Sequence, residues 1–147
     1  MNDTATSLSC RPTSALEKLA VSLINAAVAL VFLLPFLAGS FDRLELKLIF
    51  VGLFFTENLV AIVFHQYRLP GMWLLQTHWK KRYPLSQQLL HALLYTVSFS
   101  TLVFWVWLPG DLLLLNLLVL QLPCILLTGT TLHGWLAGNM VDEKRQA

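Results

Sequence analysis

Four long apolar runs, separated by short polar stretches, dominate the chain. Each run has about 20 residues, the helical length that crosses a hydrocarbon core of about 30 Å. The pattern predicts membrane-spanning helices over residues 19–38, 46–64, 89–108 and 112–131. Because Pro109 and Gly110 precede the fourth run, we expect a tight antiparallel hairpin between the last two helices, with Asp111 at its rim.

The composition supports a membrane protein and argues against an enzyme. Hydrophobic residues make up 56% of the 147 positions and charged residues only 12%, whereas soluble domains are about a quarter charged. The sequence contains no hydrolase, phosphate-loop or zinc-protease motif. We therefore expect an all-α integral membrane four-helix bundle that forms a single domain over residues 1–147.

The distribution of basic residues predicts the topology. The loop of residues 65–88 contains no acid and four basic side chains: Arg68, Lys80, Lys81 and Arg82. The positive-inside rule places this loop in the cytoplasm, and both termini with it, in a bacterial-type inner membrane. A cleaved signal peptide is the alternative for the first run, but that run is longer than usual and lacks a strongly basic start.

The same loop contains an apolar segment with helical spacing. Met72, Leu75 and Trp79 recur at this spacing, which predicts an amphipathic helix over residues 69–82 at the membrane interface. Its candidate interface residues are Trp73, Trp79, Lys80, Lys81 and Arg82. They suit contact with lipid headgroups or docking of a partner protein, and the sequence does not separate the two.

Glu57 is the only acid inside any of the apolar runs. From a rise of about 1.5 Å per residue, we expect four polar side chains in one layer roughly 9–15 Å below the cytoplasmic surface, with Asn58 extending it. The four are Asn25, Glu57, Tyr95 and Gln121. Three roles remain open for Glu57: a proton or cation site with Asn25 and Gln121 as neutral ligands, a protonated hydrogen-bonding link between helices, or a contact with another subunit.

Three short blocks give the chain a resemblance to a known family. Residues 18–25 read KLAVSLIN, residues 69–75 read LPGMWLL and residues 130–141 read TTLHGWLAGNMV. In order and placement they resemble the motifs of the RDD family of small polytopic membrane proteins, for some of which cation/proton antiport has been proposed. The corresponding positions are Lys18, Asn25, Gly71, His133, Gly134 and Gly138. Lys18 takes the place of the family arginine, while Asn25 and Gly134 take the places of its two acids.

We expect a non-catalytic accessory, assembly or interaction subunit of a larger membrane complex. The alternative is a small cation/proton transporter that uses Glu57. The expected partners are the lipid bilayer and other membrane subunits or further copies of the chain, without nucleic acid. His65, His91 and His133 near the cytoplasmic helix ends raise the possibility of haem or a metal, but none has a partner at one-helix metal spacing. Cys10 and Cys124 also lack ligands at metal spacing, so no cofactor or metal is predicted.

Overall fold

The chain folds mostly into helices, which account for 65% of the residues. A computed structural model describes residues 9–145. In chain order the elements are β1 (Cys10–Pro12), α1 (Ala15–Leu37), α2 (Arg43–Phe64), α3 (Pro70–Leu74), β2 (Thr77–Trp79), α4 (Leu85–Ser100), α5 (Asp111–Leu115), a π-helical segment (Asn116–Gln121), α6 (Leu122–Thr128), α7 (Leu132–Leu136) and β3 (Asp142–Arg145). Within this part of the chain, three helices are long and apolar enough to cross a membrane: α1, α2 and the continuous helix Asp111–Thr128, called helix 111–128 below.

The first two expected spans are confirmed as helices that begin a few residues earlier than their apolar runs. Capping boxes explain the early start. The Ser14 hydroxyl accepts the Glu17 N–H at 3.2 Å, and the Glu17 carboxylate accepts the Ser14 N–H at 2.9 Å. Asp42 and Glu45 form the same reciprocal pair at the start of α2. Polar capping residues therefore extend each helix beyond its hydrophobic core.

The third expected span, 89–108, is not a continuous helix. α4 ends at Ser100, and its 16 residues give a length of only about 24 Å. Ser100 and Thr101 each donate their hydroxyl to a carbonyl three residues back, at 2.6 and 2.7 Å, in competition with the helical pattern. An irregular connection of residues 101–110 follows, in which the Asp111 carboxylate accepts the Trp107 N–H at 2.7 Å. The connection is therefore longer than the tight hairpin we expected.

Helix 111–128 is irregular and ends before the predicted residue 131. Its π-helical segment directly precedes Pro123, whose ring lacks an N–H and clashes with the carbonyl four residues earlier. The helix stops at Gly129, which has a left-handed φ of 75°. The proline and the glycine thus account for its irregular middle and its end.

The prediction of an amphipathic helix over residues 69–82 is wrong beyond the first helical turn. Only Pro70–Leu74 is helical, because Gln76 adopts a φ of 56° that breaks the helix. Thr77 and Trp79 then alternate with His78 in strand β2, which pairs with β3. The fold is consequently not purely α-helical.

The strands form one antiparallel sheet in the order β1-β3-β2. It joins residues 10–12, the loop between α2 and α4, and residues 142–145. These three parts of the chain therefore lie together at one end of the helices. Their common location provides the framework for the candidate site.

Aromatic side chains fill the interior between the helices, while large apolar faces remain outside. Phe54 of α2 is fully buried and stacks on Phe99 of α4, with ring centroids 3.8 Å apart. Only 11% of helix 111–128 is buried, and Leu127 is 85% exposed. An open apolar groove of about 340 Å³ separates this helix from Leu19 and Leu23 of α1. Such surfaces are stable against lipid or another apolar helix.

Candidate functional site

A buried polar cluster lies where the sheet meets the helix ends. It contains an ion pair, two amides, two phenols and two imidazoles: Lys18, Asp142, Asn25, Asn58, Tyr67, Tyr95, His91 and His133. The group is called the polar cluster below. It draws on α1, α2, α4, α7, β3 and the α2–α3 loop, so these elements must come together before it forms.

A buried ion pair joins α1 to the C-terminal strand. The ammonium of Lys18 pairs with the Asp142 carboxylate and donates to the Thr13 hydroxyl at 2.6 Å. The Lys18 and Asp142 side chains are only 6% and 14% exposed. Removing one partner of such a pair leaves a buried charge, which typically costs about 3–5 kcal/mol. This contact therefore fixes the sheet against the start of α1.

Asn25 links three helices through its side-chain amide. Its Oδ1 accepts the Gly71 N–H of α3 at 2.7 Å, and its Nδ2 donates to the Tyr95 hydroxyl of α4 at 3.3 Å. The Tyr95 hydroxyl then donates to Ser22 of α1 at 2.8 Å. Asn25 is fully buried, and these bonds use both ends of its amide. Its position favours an internal structural role.

The two histidines of the polar cluster lie against each other and against the phenols. The His91 and His133 ring centroids are 4.9 Å apart, and His133 stacks on Tyr95 at 4.8 Å. The Tyr67 hydroxyl lies between Nδ1 of His91 and Oδ1 of Asn58, at 3.3 Å from the latter. His65, the third histidine considered for haem or metal, instead lies near Trp73, with ring centroids 6.0 Å apart.

Burial determines the chemistry of His133. It lowers the pKa of His133 well below 6.5, and the nearby His91 and Lys18 lower it further. The ring is therefore neutral near pH 7. Its Nδ1 is buried without a hydrogen-bond partner among residues 9–145. The adjoining cavity, of about 50 Å³, has room for water.

Glu57 forms no hydrogen bond to the polar residues that were expected to share its layer. Both its carboxylate oxygens are buried and have no hydrogen-bond partner within the described part of the chain. The side chain lines a groove of about 900 Å³ between α1, α2 and α3, together with Val28, Phe32, Val60 and Trp73. The groove is called the Glu57 groove below. His65 and Arg68 also line it, so its lining is apolar with a few ionisable groups.

Gln121 belongs to a separate polar contact. Its Nε2 donates to Asn116 at 3.1 Å, and its Oε1 accepts the Leu132 N–H at 3.0 Å. Asn116 in turn donates to the Ser98 hydroxyl at 2.7 Å. These bonds attach helix 111–128 to α4 and to the start of α7. Asn25, Glu57 and Gln121 therefore occupy three different environments.

The two tryptophans of the expected docking surface point to different environments. Trp73 is 54% exposed, and the Arg68 guanidinium lies 4.6 Å from its ring centroid. Trp79 is half-buried and donates its Nε1–H to the Tyr67 carbonyl at 2.7 Å. Its ring also stacks on the phenol ring of Tyr67. The three basic residues that follow, Lys80, Lys81 and Arg82, are exposed. Only Trp73 and the basic residues remain available to lipid or a partner.

The three resemblance blocks meet around the polar cluster. A Cβ at Gly71 would lie 2.4 Å from the Val21 carbonyl oxygen, and one at Gly134 would lie 2.6 Å from the Thr130 hydroxyl. Gly138 has a φ of 107°, and a Cβ there would meet Gln87 at 2.7 Å. These positions thus require glycine for close approach or for backbone conformation.

Sequence reasoning missed Asp142 and Tyr67 as members of the polar cluster. Both depend on the sheet, because β3 brings Asp142 beside Lys18 and Trp79 of β2 stacks on Tyr67. The available signal was the alternation of Thr77, His78 and Trp79. Its period of two favours a strand over a helix.

The fold and site define a mostly helical protein with helices suited to a membrane and a polar cluster at one end. Comparison with protein-family models, curated proteins and solved structures gives no match to this chain. Any function must therefore be argued from the geometry described above.

Proposed function

We propose that this protein is a non-catalytic membrane subunit that binds another membrane protein through the Glu57 groove. The observation that carries the proposal is the Glu57 carboxyl, with both oxygens buried and unpaired among the described residues. In hydrocarbon an unpaired carboxyl is unfavourable by several kcal/mol. Once the Glu57 side chain turns toward the groove, a partner helix that supplies a hydrogen-bond donor or a cation would satisfy it. Apolar residues of the same helix would fill the groove.

The contrast with other buried polar groups supports this assignment. Asn25, Asn58 and Gln121 all form hydrogen bonds within the chain. Glu57 has none among residues 9–145. The large exposed apolar residues of α1 and helix 111–128 add surface that suits lipid or a partner subunit.

The topology within this proposal has four crossings and both termini in the cytoplasm of a bacterial-type inner membrane. Two features support it. The sheet gathers residues 10–12, the α2–α4 loop and residues 142–145 at one end of the helices. Lys80, Lys81 and Arg82 are exposed in that loop, and basic loops favour the cytoplasmic side. In this arrangement α4 and residues 101–110 together form the third crossing.

Membership of the RDD family is also part of the proposal. It is supported by the proximity of the three sequence blocks that resemble the motifs of that family, which lie together around the polar cluster.

The alternative function is cation or proton transport through Glu57. A single carboxyl lining an open groove favours it. However, Asn25 and Gln121 are engaged elsewhere, so the three-residue ion site expected from the sequence is not assembled. Glu57 would have to act without either amide.

Two valine substitutions on α2 test partner binding. Val60 lines the Glu57 groove, whereas Val63 is 70% exposed and is not part of its lining. Val60→Trp should fill the groove and remove a stoichiometric partner from the protein purified in mild detergent. Glu57→Leu should have the same effect, and Val63→Trp should leave the complex intact. Partner retention in Val60→Trp would contradict the proposal.

Flux in proteoliposomes distinguishes the transport alternative. Under our proposal, the purified chain carries no cation- or pH-driven flux, and Glu57→Gln changes nothing in this assay. If the wild-type protein alone supports flux and Glu57→Gln abolishes it while the protein stays folded, transport replaces partner binding as the function.

A further inference from the structure

Three possible metal ligands from three different strands meet at the sheet. Sγ of Cys10, an imidazole nitrogen of His78 and a carboxylate oxygen of Glu143 all lie within 4.8 Å of one another. We propose that these three side chains form a binding site for a divalent cation of the zinc class. The site is separate from the Glu57 groove and does not depend on the function proposed for that groove.

The strand register explains why the three ligands share a face. His78 on β2 pairs directly with Glu143 on β3, so their side chains emerge on the same side. Cys10 on β1 pairs with position 145, two residues beyond Glu143. Side chains alternate along a strand, so Cys10 and Glu143 also share that side.

The opposite face of the sheet is already occupied by contacts with the helical part. Asp142 on that face pairs with Lys18, and Lys144 lies 3.2 Å from the Glu17 carboxylate. On the face with Cys10, His78 and Glu143, Cys10 is exposed and the other two side chains are partly buried. A cation can therefore approach the three ligands from the side of Cys10.

The ligand types and their separation suit zinc. Thiolate, imidazole and carboxylate are the usual zinc ligands, and tetrahedral bond lengths place ligand atoms about 3.3–3.8 Å apart. The observed separations, all within 4.8 Å, would have to shorten by about 1 Å or more on binding. Binding converts the Cys10 thiol to a thiolate and releases one proton, so thiolate and carboxylate together balance the charge of Zn²⁺. Three protein ligands leave a fourth position for water.

One contact competes with the metal at Glu143. Lys80 lies 3.7 Å from the Glu143 carboxylate, but its side chain is 63% exposed. The Glu143 side chain is only 17% exposed, but the Lys80 ammonium lies mostly in solvent, which screens the pair at this distance. Lys80 can therefore move away when a cation binds.

Zinc titration of the untagged full chain in detergent tests the site. Competition with a chromophoric chelator should give one zinc per chain. Cys10→Ser, His78→Asn and Glu143→Gln should each weaken affinity at least tenfold. Cys124→Ser is the matched control, because Cys124 lies in helix 111–128, away from the proposed site. The Cys124→Ser variant should bind zinc with the affinity of the wild type.

Cobalt binding provides a second measurement, the absorption spectrum of the bound metal. This spectrum reports whether a thiolate is a ligand, which a change in protein stability alone would not alter. The wild-type protein and Cys124→Ser should show a thiolate-to-cobalt charge-transfer band, and Cys10→Ser should not. Circular dichroism of the metal-free variants checks that each is folded. Absence of stoichiometric zinc binding in the wild type, equal affinity in all the variants, or a cobalt spectrum without the thiolate band would each overturn the proposal.

Discussion

Replacement of Gly71 by alanine tests whether α1 and α3 approach as closely as the structure shows. A Cβ at this position would lie 2.4 Å from the Val21 carbonyl oxygen, 2.9 Å from the Val21 Cα and 2.9 Å from Oδ1 of Asn25. Two of these neighbours are backbone atoms, so no side-chain rotation relieves the contact. α3 must move away from α1, and the 2.7 Å bond from the Gly71 N–H to Asn25 must lengthen or break.

The expected loss of stability has two parts. Overpacking in a close contact costs about 1–3 kcal/mol. A buried N–H that loses its acceptor adds about 1–3 kcal/mol, and the better helix propensity of alanine offsets about 1 kcal/mol. We therefore expect Gly71→Ala to lower the free energy of unfolding by about 1–5 kcal/mol. Reversible unfolding in mixed detergent micelles measures this difference.

Gly52→Ala is the matched control. Gly52 lies inside α2, and a Cβ at this position would have no neighbouring atom within 4 Å, so alanine meets no obstacle there. The gain in helix propensity should stabilise the protein by about 0.5–1 kcal/mol. Equal free energies of unfolding for the Gly71→Ala and Gly52→Ala variants would refute the close contact between α1 and α3.

Two further predictions concern the polar cluster. Lys18→Met should destabilise the protein by about 3–5 kcal/mol because Asp142 is left as a buried charge, and adding Asp142→Leu should recover much of this loss. Both are read from the same unfolding measurement, and no recovery in the double variant would contradict the ion-pair explanation. The lowered pKa of His133 means that the unfolded chain binds more protons than the folded chain below pH 6.5. Stability should therefore fall as the pH decreases below about 6.5, by at most about 1.4 kcal/mol per pH unit for one histidine. His133→Asn should reduce this slope; a slope equal to that of the wild type would exclude His133 as the source.

The length of the apolar runs is sufficient to predict the two longest helices. α1 and α2 coincide with the first two apolar runs, apart from the first turn of each helix, which begins before its run at a capping box. The same signal overestimated α4, because apolar composition continues through residues 101–108 while hydroxyl groups and the Asp111 carboxylate redirect the backbone. Length and hydropathy do not report such local competition.

Depth along the helices predicts only some of the polar groups that meet. It predicts Asn25, Glu57, Tyr95 and Gln121 in one layer, and of these Asn25 and Tyr95 are hydrogen-bonded in the structure. Axial position does not fix the direction in which a side chain points, so Asn25, Glu57 and Gln121 have different neighbours. The proximity of three possible metal ligands is not evident from the sequence for a related reason. Its ligands are far apart in sequence, and only strand pairing brings Cys10, His78 and Glu143 together.

The contrast between Asn25 and Glu57 bears on which function is favoured. Asn25 uses both its acceptor and its donor within the chain, so converting it into an ion ligand would require breaking bonds to α3 and α4. Glu57 would break no such bond within the described residues on meeting a new partner. Interaction at Glu57 therefore needs less rearrangement than a shared ion site, and an external helix with one donor is sufficient to satisfy the carboxyl. This difference favours a binding subunit over a self-contained transporter.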